Sequence, residues 1–347
     1  MPRPLRLFNS RKMKRHKVWV DWLKALSMVT IVWGHCFPQG GIDSFLYAFN
    51  VPVFFWASGY LAHPEKDFHT CWKKCWHNLL VPYLILALLK TLGPIIKHIT
   101  DGQFIYSLIG IAGGFHTFNG MTGCNNLWFV YTLILIKLIY QPISQKPKML
   151  LLVTLLAIGG ALVYNHLQLE WTWAVSNVML AWPFFMLGNL CSQAPSLRFD
   201  QFVERIQKQH PLTIFIAFIN LAAATYQTGL LNSCAYLFQN CYGNNFILFL
   251  CGALLGIGMM LLLSNLLNNS DLKVTKIIST GSIVILVFHR ELLHPMLKFI
   301  GKQDLNLLQE NLAIFIAALI TTLAFVPVIL LLKRYFPIIL GTRAKNI

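Results

Sequence analysis

Residues 19–38 read WVDWLKALSMVTIVWGHCFP. The stretch is apolar and about one bilayer crossing long, since roughly 20 helical residues at 1.5 Å each span a ~30 Å hydrocarbon core. It nevertheless carries Asp21, Lys24 and His35. Ionisable groups inside a spanning helix are costly and belong on a face turned to protein or water. Lys24 and His35 are eleven positions apart, close to three whole turns, so they share one face roughly 16 Å apart along the axis. Asp21 precedes Lys24 by three residues, within side-chain reach. Two readings are open. The face is a functional site, or Asp21 and Lys24 sit in the interface with Lys24 snorkelling while His35 ends the helix.

The rest of the chain repeats this apolar character. It is 56% hydrophobic and only 12% charged, which defines an integral membrane protein. The formal charge of +16 does not imply nucleic acid, because the basic residues are spread between apolar spans. Further spans are expected near 43–62, 77–97, 125–141, 149–167, 174–192, 211–231, 245–267, 277–297 and 311–332, ten in all with 18–38. Residues 104–118, FIYSLIGIAGGFHTF, are apolar but short and glycine-rich, and read as re-entrant or interfacial. With the N-terminus inside, the inner segments, counting Lys137 at the inner end of its span, hold 22 of the 28 Lys and Arg; Lys97, Lys298 and Lys302 fall outside, and Lys24, Lys90 and Arg290 lie within spans. This asymmetry predicts an all-α, polytopic helical bundle of about ten transmembrane helices with both termini cytoplasmic. The expected organisation is a basic cytoplasmic arm at 1–17, one transmembrane domain at 18–335 and a short cytoplasmic tail at 336–347. The arm holds no cleavage site after an apolar core, so no removable signal is expected. No internal repeat divides the chain.

Residues 49–61, FNVPVFFWASGYL, follow a Gly- and Pro-rich turn. Pro52 should kink that helix and free backbone groups near His35. Ser58-Gly59 allows another helix to approach closely. A second cluster, His289, Arg290, Glu291 and His294, falls in the ninth span. Arg290 and Glu291 are adjacent and cannot point the same way, so each needs a partner from another helix. Lys90, mid-span in the third helix, needs one too.

Lys24, ten residues, then His35, followed by FNVPVFFWASGYL, resembles the acyltransferase 3 family. WKKCWHNLLVPYLI (72–85), NNLWFVYTLILIKL (125–138), WPFFMLGNL (182–190) and GSIVILVFHREL (281–292) resemble its later, looser motifs. The Asp21-x-x-Lys24 form and the short chain look most like the fucose 4-O-acetylase-related branch. Phe288 stands where that family often has Tyr before the late His. The resemblance implies a multi-pass acyltransferase of the bacterial inner membrane. Such an enzyme moves an acyl group, expected to be acetyl, from cytoplasmic acyl-CoA to a hydroxyl of a cell-surface or lipid-linked carbohydrate. It implies catalytic parts for His35, Lys24 and Asp21.

The residues suit that chemistry in their own right. Acyl transfer to a hydroxyl needs a base, and His is the side chain poised near neutral pH. No Gly-x-Ser-x-Gly elbow is present. Arg290, Glu291, His289, Ser58 and Trp128 are candidates for substrate binding. Lys73 and Lys74 are candidates for the phosphates of acetyl-CoA, unless they are positive-inside anchors only. His69, Cys71, Cys75 and His77 miss the usual zinc spacings, so no metal is expected. Cys234 and Cys241 flank an outer loop and could pair if that side is oxidising. The expected partners are the bilayer, the carbohydrate and acyl-CoA, with no nucleic acid. The competing class is a transporter or flippase for a polar or lipid-linked solute, which ten spans with buried charges would also serve. Lack of internal repeats argues for the enzyme.

Overall fold

The computed structural model describes residues 17–169, 173–193, 205–206, 208–233 and 235–342. The 19–38 stretch becomes α1, Val18–Gly34, and the chain turns at once into α2, Ile42–Tyr60. Gly41, in the left-handed region at φ 78°, makes that turn. The two helices are antiparallel. Trp19 meets Trp56 and Tyr60 at one end, and Tyr47 donates to the Gly34 carbonyl at 3.2 Å at the other. Pro52 lies mid-helix and buried, and α2 continues through it.

α3, Phe68–Cys75, is capped by Asp67, whose carboxylate accepts from the Thr70 N–H at 2.7 Å. A single π turn, Trp76–Leu80, then joins it to α4, Val81–Lys97. α5, Phe104–Gly113, has ten residues and at about 15 Å is too short to cross a membrane. A two-residue hairpin, Thr117–Phe118 with Met121–Thr122, folds back on it. α6, Trp128–Ile143, α7, Pro147–His166, and α8, Val178–Gln193, follow. The last four helices are α9, Pro211–Asn232, α10, Phe246–Leu266, α11, Lys273–Ile300, and α12, Leu307–Tyr335. Asn245 and the Asn306–Gln309 capping box start α10 and α12.

The result is an all-α membrane bundle. Each of the ten apolar stretches falls on a helix. Six helical runs are long and apolar enough to cross a bilayer: 68–97, 125–143, 147–166, 211–239, 246–266 and 307–335. α1, α2, α8 and α11 are not among them. These helices carry the polar residues and pack on one another, so they meet protein rather than lipid. Leu88, Leu155, Leu231 and Leu331 instead stand exposed on the outer helices.

The tightest crossing is α2 on α8. A Cβ on Gly59 would lie 1.8 Å from the Phe185 carbonyl oxygen, and one on Gly188 would lie 2.0 Å from that of Trp56. Only glycine lets the two backbones touch. Buried Asn189 then closes the end of α2, donating to the carbonyls of Gly59 (3.3 Å) and Ala62 (3.1 Å) while accepting from Tyr140 (3.0 Å). The basic arm at 1–16, Arg198, Cys234 and the end of the tail lie outside the described residues.

Candidate active site

A cavity of about 390 Å³ opens among α1, α2, α6 and α11. Lys24 lines one end, with Asn78 of the π turn, Thr280 and Leu340. His35 lines the other, with Tyr47, His116, Tyr236 and Arg290. The face shared by Lys24 and His35 therefore looks into a single space about three turns long. Ser58 and Trp128 line it as well. Asp21 lies within electrostatic reach of the Lys24 ammonium but outside the lining.

His35 meets His289, the rings 4.7 Å apart between centroids and tilted by 43°. Each Nδ1 lies 2.9 Å from the carbonyl oxygen one turn earlier, that of Ile31 for His35 and Ile285 for His289. A carbonyl can only accept, so each Nδ1 carries a proton, and in the neutral form each ring keeps its lone pair on Nε2. His289 is fully buried, and its Nε2 has no hydrogen-bond partner among the described residues. His35, by contrast, reaches the cavity.

The adjacent pair on α11 divides as its opposite directions require. Arg290 turns into the cavity, within electrostatic reach of His35, Tyr47 and His116. Glu291 does not line it. It pairs with Lys90 of α4, and Lys90 also faces the Phe288 ring. Lys90 is thus the partner from another helix that Glu291 needed, and the two mid-span charges answer each other. Lys73 does not line this cavity, and Lys74 pairs with Glu65.

Several cavity residues escaped the sequence reading. Asn50 and Tyr47 come from α2. His116 lies just before the hairpin, after the end of α5, which Tyr83 and Trp173 hold by donating to the carbonyls of Ile111 (2.5 Å) and Gly113 (2.7 Å). Burial, with Arg290 behind it, holds His116 below the ordinary imidazole range. Tyr236 and Phe238 come from the segment between α9 and α10. Asn165 of α7 anchors that segment, donating to the Asn240 carbonyl at 2.6 Å and accepting from the Tyr242 N–H at 3.2 Å. His116, Tyr236 and Phe238 sit outside the α-helices, where no helical periodicity announces a facing. The one available signal was the density of Asn and aromatic residues there.

A model of the acyltransferase domain matches residues 17–331. The chain therefore belongs to the acyltransferase 3 family and is a membrane acyltransferase. No curated protein and no solved structure matches it.

Proposed function

We propose that the protein moves an acyl group, acetyl in the expected case, from a coenzyme A thioester to a hydroxyl of a cell-surface or lipid-linked carbohydrate. One observation carries the reading. Lys24 and His35 line the same cavity from opposite ends, so a donor entering beside Lys24 and an acceptor entering beside His35 can meet within it. The His35 Nε2 lone pair takes the hydroxyl proton as the oxygen attacks the thioester carbonyl. The C–O bond forms, the C–S bond breaks, and the leaving thiolate takes from His35 the proton that came from the hydroxyl. Arg290 supplies positive charge for the transient oxyanion. The rings of Phe37, Trp128 and Phe238 offer apolar faces to a sugar.

We place the Lys24 end on the cytoplasmic side of a bacterial inner membrane, with ten crossings and both termini inside. The split of basic residues supports this orientation. The test is turnover of radiolabelled acetyl-CoA by protein in lipid nanodiscs. Protein-dependent transfer or hydrolysis is expected. His35→Gln, which retains size and polarity, should lower it by about 10²–10⁴-fold, roughly 3–5 kcal/mol of barrier. A His35→Gln protein at full rate would reject the base assignment. A wild-type protein inert toward acetyl-CoA would favour transport.

A further inference from the structure

A second cavity, about 240 Å³, opens beside the first and shares Asn78 and Leu79 with it. It is lined by His63 and Glu65 from the segment after α2, Lys74 from α3, and Lys137, Tyr140 and Gln141 from α6. This is the Lys24 end of the molecule, where the start of α1 meets the end of α2. The cleft is built on fixed elements. Gln141 and Glu65 exchange two hydrogen bonds of 3.0 Å, the Glu65 N–H to the Gln141 amide oxygen and the Gln141 amide to the Glu65 carbonyl. Glu65 also holds Lys74. The Cys71 thiol leans on the Lys137 carbonyl at 3.9 Å.

Lys137 is the exception in this arrangement. It is half-buried and lines the cleft, yet its ammonium has no carboxylate or hydrogen-bond partner among the described residues. Its charge reaches Lys24 as well as Cys71 and Cys75. Lys24 has Asp21 within electrostatic reach and Lys74 holds the carboxylate of the cleft, which leaves Lys137 the lining cation without an anion of its own among the described residues. A half-buried ammonium is retained at such a cost where an anion completes it.

We infer that this cleft is a phosphate-binding subsite, in which Lys137, with Lys74 at its rim, holds the phosphorylated nucleotide end of the acyl donor. The thioester arm then passes Asn78 and Leu79 into the long cavity toward His35. The inference rests on the acyl-transfer reading and deepens it, moving the donor contact from the exposed Lys73 to Lys137. A phospholipid headgroup offers the same chemistry, so the experiment separates the two sources.

Lys137→Met keeps the apolar stem and removes the charge. In phosphatidylcholine nanodiscs, its KM for acetyl-CoA should rise by about tenfold or more, as expected for a lost charge-assisted contact. Its KM for S-acetylpantetheine, which lacks the nucleotide and diphosphate, should shift far less. Lys148→Met, exposed on the first turn of α7, should match wild type with both donors. Equal shifts with both donors, or none, would overturn the subsite. Binding of 3′-phosphoadenosine diphosphate by calorimetry tests the cleft without turnover: a Kd weakened about tenfold by Lys137→Met supports it, and an unchanged Kd or no binding overturns it. Nucleotide binding by a protein inert toward acetyl-CoA would fault the acyl-transfer reading while sparing the subsite. If adding phosphatidylglycerol abolishes nucleotide binding, the cleft holds lipid and the donor assignment is overturned.

Discussion

His289 is the residue whose surroundings say most about mechanism. It gives the cavity no surface, yet it packs on the ring that does. Its Nδ1 is committed to Ile285, which leaves a buried Nε2 lone pair beside His35. When His35 takes a proton, that lone pair is a fixed acceptor within the same pair of rings. Hydrogen bonds to charged groups contribute about 1.5–3 kcal/mol. His289→Phe, which keeps a ring and loses the lone pair, should therefore lower kcat by roughly 10–150-fold with a smaller change in KM. A kcat equal to wild type would make His289 a packing residue. Lys24 is argued the same way from its cavity placement. Lys24→Ala should remove most activity and raise the donor KM, whereas Lys24→Arg should keep part of it. Full activity in Lys24→Ala would return Lys24 to the snorkelling role.

Among the elements, the α2–α8 crossing shows why a short motif and a loose one belong together. The SGY of α2 and the LGN of α8 present Gly59 and Gly188 to each other's carbonyls. Neither glycine touches a substrate-sized space, whereas Ser58, one position away, lines the cavity. The crossing thus sets the depth at which Ser58 stands. A Cβ at Gly188 has backbone on the far side, which cannot rotate away. Gly188→Ala should destabilise the protein by about 1–3 kcal/mol or more, read as a lowered unfolding midpoint in detergent. A midpoint equal to wild type would show that the helices separate freely. The π turn at 76–80 does comparable work. It carries Asn78, which lines both cavities, and the left-handed Gly341 packs against the Asn78 carbonyl, so the turn at 337–341 closes on the Lys24 end of the cavity.

At the scale of the whole molecule, the helix ends alternate. Trp19 donates to Asn268 after α10, and Trp22 to the Ser270 carbonyl, at the end where Asn189 caps α2. At the opposite end, Gln39 exchanges hydrogen bonds with Asn311 at the start of α12, and Tyr226 of α9 donates to the Gly40 carbonyl. Lys146 between α6 and α7 belongs to the first end, and Asn244 between α9 and α10 to the second. In a cysteine-free background, Lys146→Cys should resist a membrane-impermeant maleimide in intact cells until the membrane is opened, and Asn244→Cys should react at once. Labelling of Lys146→Cys in intact cells would overturn the proposed orientation.

The apolar helical character and the register of Lys24 with His35 were legible in the chain, because helix periodicity and the expense of dehydrating charge are local properties. The short 104–118 piece was legible for the same reason, its length being inadequate to cross. The partners across helices were not. That Glu291 meets Lys90, that His35 meets His289 and that Gly59 meets Gly188 depends on how the helices are arranged around one another, and sequence spacing is silent on neighbours more than a hundred residues away. Lys137 shows the division most plainly. In the chain it is one more basic residue near the end of a span, and only the packing of α6 against the segment after α2 leaves it half-buried in a cleft whose carboxylate another lysine has already taken.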